Sequence, residues 1–157
     1  MGQEDIEERA WQFDMRTRAS LLLRVASVIS LLFAAGHTLG GRKSWSPIGD
    51  NEVLQAMRSF RFDAQGASRT YLDFYLGFGF CLSAYLLLQA ALLWQLAKIA
   101  QDDPPLVRPL IASFLVAFLG LALVSWKFIF ILPVAFFAVL AAILSAALLA
   151  SWRRVDS

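Results

Sequence analysis

Few residues of this chain could do chemistry, and most of them lie near the ends of long apolar segments. His37 is the only histidine. Its imidazole titrates near neutral pH, so it could give or accept a proton, and a carboxylate such as Asp73 could orient it. The candidate site comprises His37 and Asp73 for proton transfer and, for ligand binding, Tyr71, Tyr75, Arg58, Arg69 and Lys127.

Both proton-transfer candidates also have structural interpretations. His37 could bond a backbone carbonyl, and this is the favoured interpretation. Thr70 and Asp73 match the Thr-x-x-Asp form of a helix capping box. The alternative is an ion pair that pins the loop over the helices. The partners available to Asp73 for such a pair are His37, Arg58, Arg61 and Arg69. The sequence leaves capping and ion pairing open and ranks a catalytic role for Asp73 below both.

Other kinds of site lack their sequence signatures. A single histidine and a single cysteine, Cys81, form no metal-ligand or disulfide pattern. Neither a phosphate-binding glycine loop nor a nucleophile-elbow motif is present. We therefore expect no metal and no cofactor. The net charge of +2, without a basic block outside the apolar segments, predicts no nucleic-acid partner.

The segments that position these residues are four long apolar runs, 19–39, 71–97, 110–126 and 131–152. At about 1.5 Å per residue, such runs are long enough to cross a hydrocarbon core about 30 Å thick. We predict an all-α fold, a bundle of four transmembrane helices in a single domain, 19–152. A polar N-terminal segment, 1–18, and a short tail, 153–157, flank it. The lipid bilayer is the expected surrounding.

The connection between the first two spans carries a helical pattern of its own. Val53, Leu54, Met57 and Phe60 fall on one face, and Asp50 or Asn51 could cap the start. The pattern predicts a short amphipathic helix that lies at the membrane interface or over the bundle. A solvated loop with one helical turn is the alternative.

Small residues recur at helical spacing in every span, which predicts faces where helices pack closely. In span 2 such a face includes Asp73, and we expect it to point at another helix. The neighbouring tyrosines and phenylalanines are expected in the core, with an apolar ligand pocket as the alternative. The small-residue faces are Ser27, Ser30, Ala34 and His37; Asp73, Gly77, Cys81 and Ala84; Ser113, Ala117, Gly120 and Val124; and Ala135, Ala138, Ala142, Ser145 and Leu149.

Four spans place both termini on one side of the membrane. The basic residues on that side are Arg9, Arg16, Arg18, Arg24, Lys98, Arg108, Arg153 and Arg154, against Arg42, Lys43, Arg58, Arg61, Arg69 and Lys127 on the other. Because positive charge favours the cytoplasmic side, eight against six predicts cytoplasmic termini. We expect the chain in an inner, or plasma, membrane. All seven candidate site residues then share the opposite face.

Several segments resemble a family of small uncharacterised bacterial membrane proteins. The resemblance rests on Gly36-His37-Thr38, Ala56-Met57-Arg58, the Tyr-x-Asp-Phe-Tyr-x-Gly-Phe-Gly pattern of 71–79, and Trp94-Gln95-Leu96-Ala97. It implies a four-helix integral membrane protein, loosely like the DoxX-type bundles, and it brings no known activity.

Three functions remain open, in this order. The first is an accessory or assembly subunit of a larger membrane complex, whose partners are other membrane subunits or further copies of the chain. The second is a binder of a lipid, a quinone or another apolar small molecule. The third is a membrane isomerase or lipid-modifying enzyme that uses His37 and Asp73.

Overall fold

The computed structural model describes the backbone of residues 3–44, 46 and 48–152 and the side chains of residues 17–44, 46 and 48–152. Its elements, in chain order, are α1 (Gln3–Gly41), α2 (Glu52–Ser59), β1 (Arg61–Ala64), β2 (Ala67–Thr70), α3 (Tyr71–Asp102), α4 (Pro104–Phe128) and α5 (Ile131–Trp152). The predicted tail, 153–157, lies outside the described residues. The segment predicted to be polar, 1–18, is helical from Gln3 onward and forms the first part of α1.

Four helical segments are long and apolar enough to cross a membrane: Thr17–Gly41, Tyr71–Asp102, Pro104–Phe128 and Ile131–Trp152. The short helix α2 lies between the first and second of them. The predicted fold class is therefore confirmed, and the chain is a multi-pass integral membrane protein. Its backbone forms two compact units, residues 1–30 with 89–157 and residues 31–88.

In the first unit, α4 and α5 form an antiparallel hairpin. Asp103 caps α4, accepting a hydrogen bond from the Leu106 amide at 3.3 Å, and two prolines fill the first helical positions. The chain reverses after Phe128, between the third and fourth predicted apolar runs. Phe118 and Phe137 meet across the hairpin with ring centroids 6.1 Å apart, and both are buried. Bulky side chains therefore form this interface.

The open end of the hairpin is closed by Arg108. Its guanidinium donates to the Ser151 carbonyl, from Nε at 2.9 Å and also from Nη2. The same guanidinium carbon lies 5.2 Å from the ring centroid of Trp152. A cation at the carbonyl end of a helix is stabilising, so Arg108 fastens the last turn of α5 to the first turns of α4.

Serine hydroxyls join α1 to α3 within the same unit. Ser20 donates to the Ala97 carbonyl and Ser27 to the Ala90 carbonyl, both at 2.7 Å, and Gln89 donates to the Ser30 hydroxyl at 3.0 Å. All three serines are buried. Small side chains let the backbones come this close, so the packing predicted for Ser27 and Ser30 is confirmed.

In the second unit, the connection from α1 to α3 is more ordered than the sequence predicted. Asn51 caps α2, its Oδ1 accepting from the amides of Val53 and Leu54 at 3.0 and 3.2 Å. The strands β1 and β2 then form an antiparallel hairpin that was not predicted. Gln65 and Gly66 both have positive φ, 54° and 87°, as the two-residue type I′ turn requires.

Several predictions about buried faces are wrong for this chain. The aromatic side chains of span 2 are not core, since Phe78 and Tyr85 are 72% and 70% exposed. The small-residue face predicted on α3 is not buried among the residues whose side chains the structure describes. Its members are all exposed, as are most of those on α4 and α5: Asp73, Gly77, Cys81 and Ala84; Ser113, Ala117, Gly120 and Val124; and Ala135, Ala138, Ala142 and Leu149.

Candidate functional site at the start of helix α3

Thr70 and Asp73 hold the first turn of α3. The Asp73 carboxylate accepts from the Thr70 amide at 2.8 Å, and the Thr70 hydroxyl accepts from the Asp73 amide at 3.1 Å. This reciprocal pair satisfies two amides that the helix itself leaves unbonded. The capping-box interpretation is thus confirmed. Thr70 is buried, whereas Asp73 stays exposed and can still meet another group.

A hollow opens beside this cap, with a volume of about 260 Å³. It is lined by Arg69, Asp73, Phe74, Gly77, Phe78 and Cys81. Gly77 leaves open space on this side of the helix, because a Cβ built on it meets no atom within 4 Å. The hollow therefore joins a charged mouth to an apolar lining along one side of α3.

The mouth of the hollow carries both signs of charge. Arg69 is exposed, and its Nη1 donates to the Ser68 carbonyl at 3.1 Å, which engages one side of the guanidinium. Asp73 is exposed as well and lines the same hollow. Arg69 and Asp73 are thus the two sequence-predicted candidates that the structure brings to one cavity.

Tyr71 belongs to an aromatic cluster that joins the β-hairpin to α3. Its ring centroid lies 4.9 Å from that of Phe62 and 5.6 Å from that of Phe60. Phe62 also contacts Phe74, with centroids 5.5 Å apart. These contacts give Tyr71 a packing role. Tyr75, one turn later, is 40% exposed and does not line the hollow.

His37 bonds the backbone of α3 and does not face Asp73. Its Nε2 lies 3.1 Å from the Gly79 carbonyl, so in this bond the nitrogen carries the proton and donates. Gly79 follows Asp73 by six residues, or 240° around a helix at 3.6 residues per turn. The two residues therefore use different sides of α3, and the structure does not assemble them into a proton-transfer pair.

The remaining candidates lie elsewhere. Arg58 is exposed in the last turn of α2, where a cation stabilises the helix end. Lys127 belongs to the other unit, at the end of α4, and its Nζ is 5.2 Å from the Phe128 ring centroid. Neither lines the hollow. Among residues 17–44, 46 and 48–152, no group of three His, Cys, Asp or Glu side chains could hold a metal ion.

The apolar lining of the hollow comes from residues for which the sequence favours packing, with a pocket for an apolar ligand as the alternative for the aromatic ones. Phe74 and Phe78 are one turn apart, and their rings are in contact with centroids 6.3 Å apart. Gly77 and Cys81 had been assigned to helix packing. Asp73, Gly77 and Cys81 follow one another at intervals of four residues, which places them on one helix face. This spacing does not distinguish a packing face from the floor of a cavity.

Comparison with known proteins identifies no relative of this chain. A scan against models of protein families and searches of curated proteins and of solved structures found no match to this chain. Any functional conclusion therefore depends on the geometry of the chain itself.

Proposed function

We propose that this protein is an accessory or assembly subunit of a larger membrane complex and packs the outer face of α4 against a transmembrane helix of another protein. We define this outer face by Ser113, Ala117, Gly120 and Val124. All four are exposed in the single chain, although Ser113 bonds its own helix through the Pro109 carbonyl at 2.9 Å. This exposure of small residues carries the proposal.

Small residues allow the backbones of two helices to approach closely in lipid. Between transmembrane helices there is little hydrophobic driving force, and association depends on close van der Waals packing. Gly120 brings no such benefit inside the chain, because a Cβ built there meets nothing within 4 Å. A glycine in a helix costs about 1 kcal/mol relative to alanine. A partner helix packed close to Gly120 would gain the van der Waals contacts that a larger side chain at this position would prevent.

The outer face of α5 supports the same proposal. Ala135, Ala138 and Ala142 are exposed at intervals of three and four residues. One α-helical hairpin thus presents two faces suited to close helix packing. Phe118 and Phe137 are buried at the interface between the two helices of the hairpin.

The geometry favours an enzyme least among the three candidate functions. His37 bonds the Gly79 carbonyl, Asp73 caps α3, and the two use different sides of that helix. Lipid or small-molecule binding has a specific observation in its favour, the hollow at the start of α3.

We also propose that the protein lies in an inner or plasma membrane. Both termini are in the cytoplasm, which is the orientation that the basic residues predict. The family resemblance to small bacterial four-helix proteins agrees with this location. Labelling with a membrane-impermeant maleimide tests the orientation in a Cys81→Ser background. We expect a cysteine at Ser44 to react from outside intact cells and one at Asp102 to react only after lysis. The reverse pattern would overturn the proposed orientation.

The subunit proposal is tested by native mass spectrometry of the protein extracted from its own membrane in mild detergent. We expect the wild type to carry a different protein at fixed stoichiometry. Gly120→Ile should release that protein, because the branched side chain prevents close approach. The matched control is Leu123→Ile, which alters a residue that is 70% exposed and lies outside the proposed face.

Three outcomes would contradict the proposal. A wild type that is monomeric in every mild detergent has no partner to bind. A complex made only of copies of this chain would replace the accessory role with self-assembly. Equal retention of the partner by Gly120→Ile and Leu123→Ile would remove the α4 face from the interface.

A further inference from the structure

We propose that the hollow at the start of α3 binds the phospholipid phosphatidylethanolamine. The phosphate meets the guanidinium of Arg69, and the ammonium meets the carboxylate of Asp73. One acyl chain lies along Gly77 and Cys81, beside Phe74 and Phe78. The inference is independent of the α4 interface, which belongs to the other unit of the chain.

The position of the hollow along the chain suits a lipid. The polar β-hairpin ends at Thr70, and the apolar helix α3 begins at Tyr71. Aromatic residues cluster at this junction, as is common where a helix passes the headgroup region. Arg69 precedes the junction and Cys81 follows it by about 15 Å of helix rise. The charged mouth therefore lies at headgroup depth and the apolar lining extends toward the hydrocarbon.

The charges at the mouth match a headgroup with both signs. A guanidinium forms strong, directional hydrogen bonds with phosphate oxygens. A carboxylate accepts hydrogen bonds from a primary ammonium, which has N–H donors to give. Phosphatidylcholine has the same charges but no N–H donor, and phosphatidylglycerol has no cation to offset Asp73. The pairing of Arg69 with Asp73 thus selects among common membrane lipids.

The cap keeps Asp73 available for this role. Its bonds with Thr70 fix the carboxylate at the lip of the hollow while the residue stays exposed. Gly77 leaves room below it, since no atom lies within 4 Å of the place a Cβ would take. An acyl chain is flexible and narrow enough to follow such an open apolar surface.

The first experiment needs only the wild-type chain. Native mass spectrometry in detergent would measure binding of phosphatidylethanolamine, its N-monomethyl and N,N-dimethyl forms and phosphatidylcholine, all with the same acyl chains. We expect affinity to fall with each N–H lost, by about fivefold over the series. Phosphatidylglycerol should bind no better than phosphatidylcholine. Equal binding across the methylation series would overturn the proposal, as would a preference for phosphatidylglycerol.

Variants then assign the two charges. Asp73→Asn retains an oxygen for the Thr70 amide and should abolish the preference for phosphatidylethanolamine over phosphatidylcholine. Arg69→Gln should weaken both lipids by about fivefold, and Arg42→Gln, an exposed arginine of the same connection, should weaken neither. An unchanged lipid preference in Asp73→Asn, or equal effects of the two arginine variants, would contradict the assignment.

Filling the hollow provides a test that leaves its charges intact. Gly77→Leu should lower the affinity for phosphatidylethanolamine at least about tenfold, because the added side chain takes the place of the acyl chain. The control is Gly36→Leu, another helical glycine with no atom within 4 Å of a built Cβ. Unchanged lipid binding by Gly77→Leu would place the lipid elsewhere on the protein.

Discussion

At the scale of the residue, several polar side chains within the spans join one helix to another. Ser20 and Ser27 each give a hydroxyl hydrogen bond to a carbonyl of α3, and in the second unit His37 does the same through Nε2. Hydrocarbon offers no competing partner for a hydroxyl, so an interhelical carbonyl is a favourable acceptor. Such bonds are worth about 0.6 kcal/mol on average in a membrane protein, and rarely more than about 1.7 kcal/mol.

Ser27→Ala should therefore lower the free energy of unfolding in detergent by about 1 kcal/mol. The matched control is Ser145→Ala, whose hydroxyl bonds the Ala141 carbonyl of its own helix at 2.8 Å. That substitution should change stability by less than about 0.5 kcal/mol. Reversible unfolding in mixed micelles measures both variants. Equal losses would show that the bond between helices adds nothing to stability.

The cap at the start of α3 gives a second prediction at this scale. Thr70→Ala should destabilise the protein by about 1 kcal/mol, because the Asp73 amide loses its acceptor. Asp73→Glu should be tolerated, since glutamate also serves in a capping box. Thr38→Ala is the control, for the Thr38 hydroxyl bonds only the Ala34 carbonyl one turn back. A fully stable Thr70→Ala protein would contradict the capping argument.

At the scale of the element, the β-hairpin sets where α3 begins. Thr70 ends β2 and also caps the helix, so strand and helix join without a linker. The turn is supported by Asp63, whose carboxylate accepts from the Gly66 amide at 2.7 Å. Phe62 then packs on Tyr71 and Phe74. The hairpin thereby carries Arg69 to the mouth of the hollow.

Gly66→Ala should destabilise the hairpin by about 1 kcal/mol, because φ near +87° is unfavourable for a residue with a Cβ. Gly36→Ala makes the same chemical change in a helix with open space around it and should be neutral or stabilising. Thermal unfolding of the two variants gives the comparison. A common sign for both shifts would count against backbone strain as the cause.

The α4–α5 hairpin depends on large side chains at its interface. Phe118 is 1% exposed and Phe137 is 2% exposed. Phe118→Ala should cost about 3 kcal/mol, since it removes the ring contact and leaves a cavity. Leu119→Ala, at a half-exposed neighbouring position, should cost less than about 1 kcal/mol. Unfolding free energies in detergent test the pair. Similar losses would mean that this interface is not tightly packed.

At the scale of the whole molecule, the exposed surface mixes two kinds of apolar residue. Bulky exposed side chains such as Leu123 and Trp126 suit lipid. The small residues of the α4 and α5 outer faces suit contact with another helix. This division is the molecular basis of the proposed subunit role.

Ala138→Leu on the α5 outer face should loosen the proposed complex, with a partial loss of partner in size-exclusion chromatography. Val139→Leu, at a 49% exposed position beside that face, should leave the elution volume unchanged. If both variants keep the whole partner, the α5 face lies outside the interface and α4 alone makes the contact.

The sequence by itself determined the class of fold. Four apolar runs of membrane-crossing length require helices, because backbone groups in lipid must bond within their own segment. Local signals also indicated the α2 helix and, as one of two open interpretations, the Thr70–Asp73 cap, since each depends on residues within one or two turns. The β-hairpin was missed because Gln65-Gly66 is a weak turn signal compared with Asn-Gly or Asp-Gly.

Only the tertiary structure decided which face of each helix is buried. In water, an apolar stripe along a helix marks the face that is buried in the core. In a membrane, both the core and the lipid are apolar, so an apolar stripe does not distinguish the buried face from the lipid-facing one. Small residues proved equally ambiguous. Ser27 and Ser30 of α1 are buried against α3, whereas most residues of the predicted small-residue faces of α4 and α5 are exposed. His37 and Asp73 lie near the same ends of neighbouring spans in the sequence. In the structure, His37 bonds the Gly79 carbonyl, on a different side of α3 from Asp73.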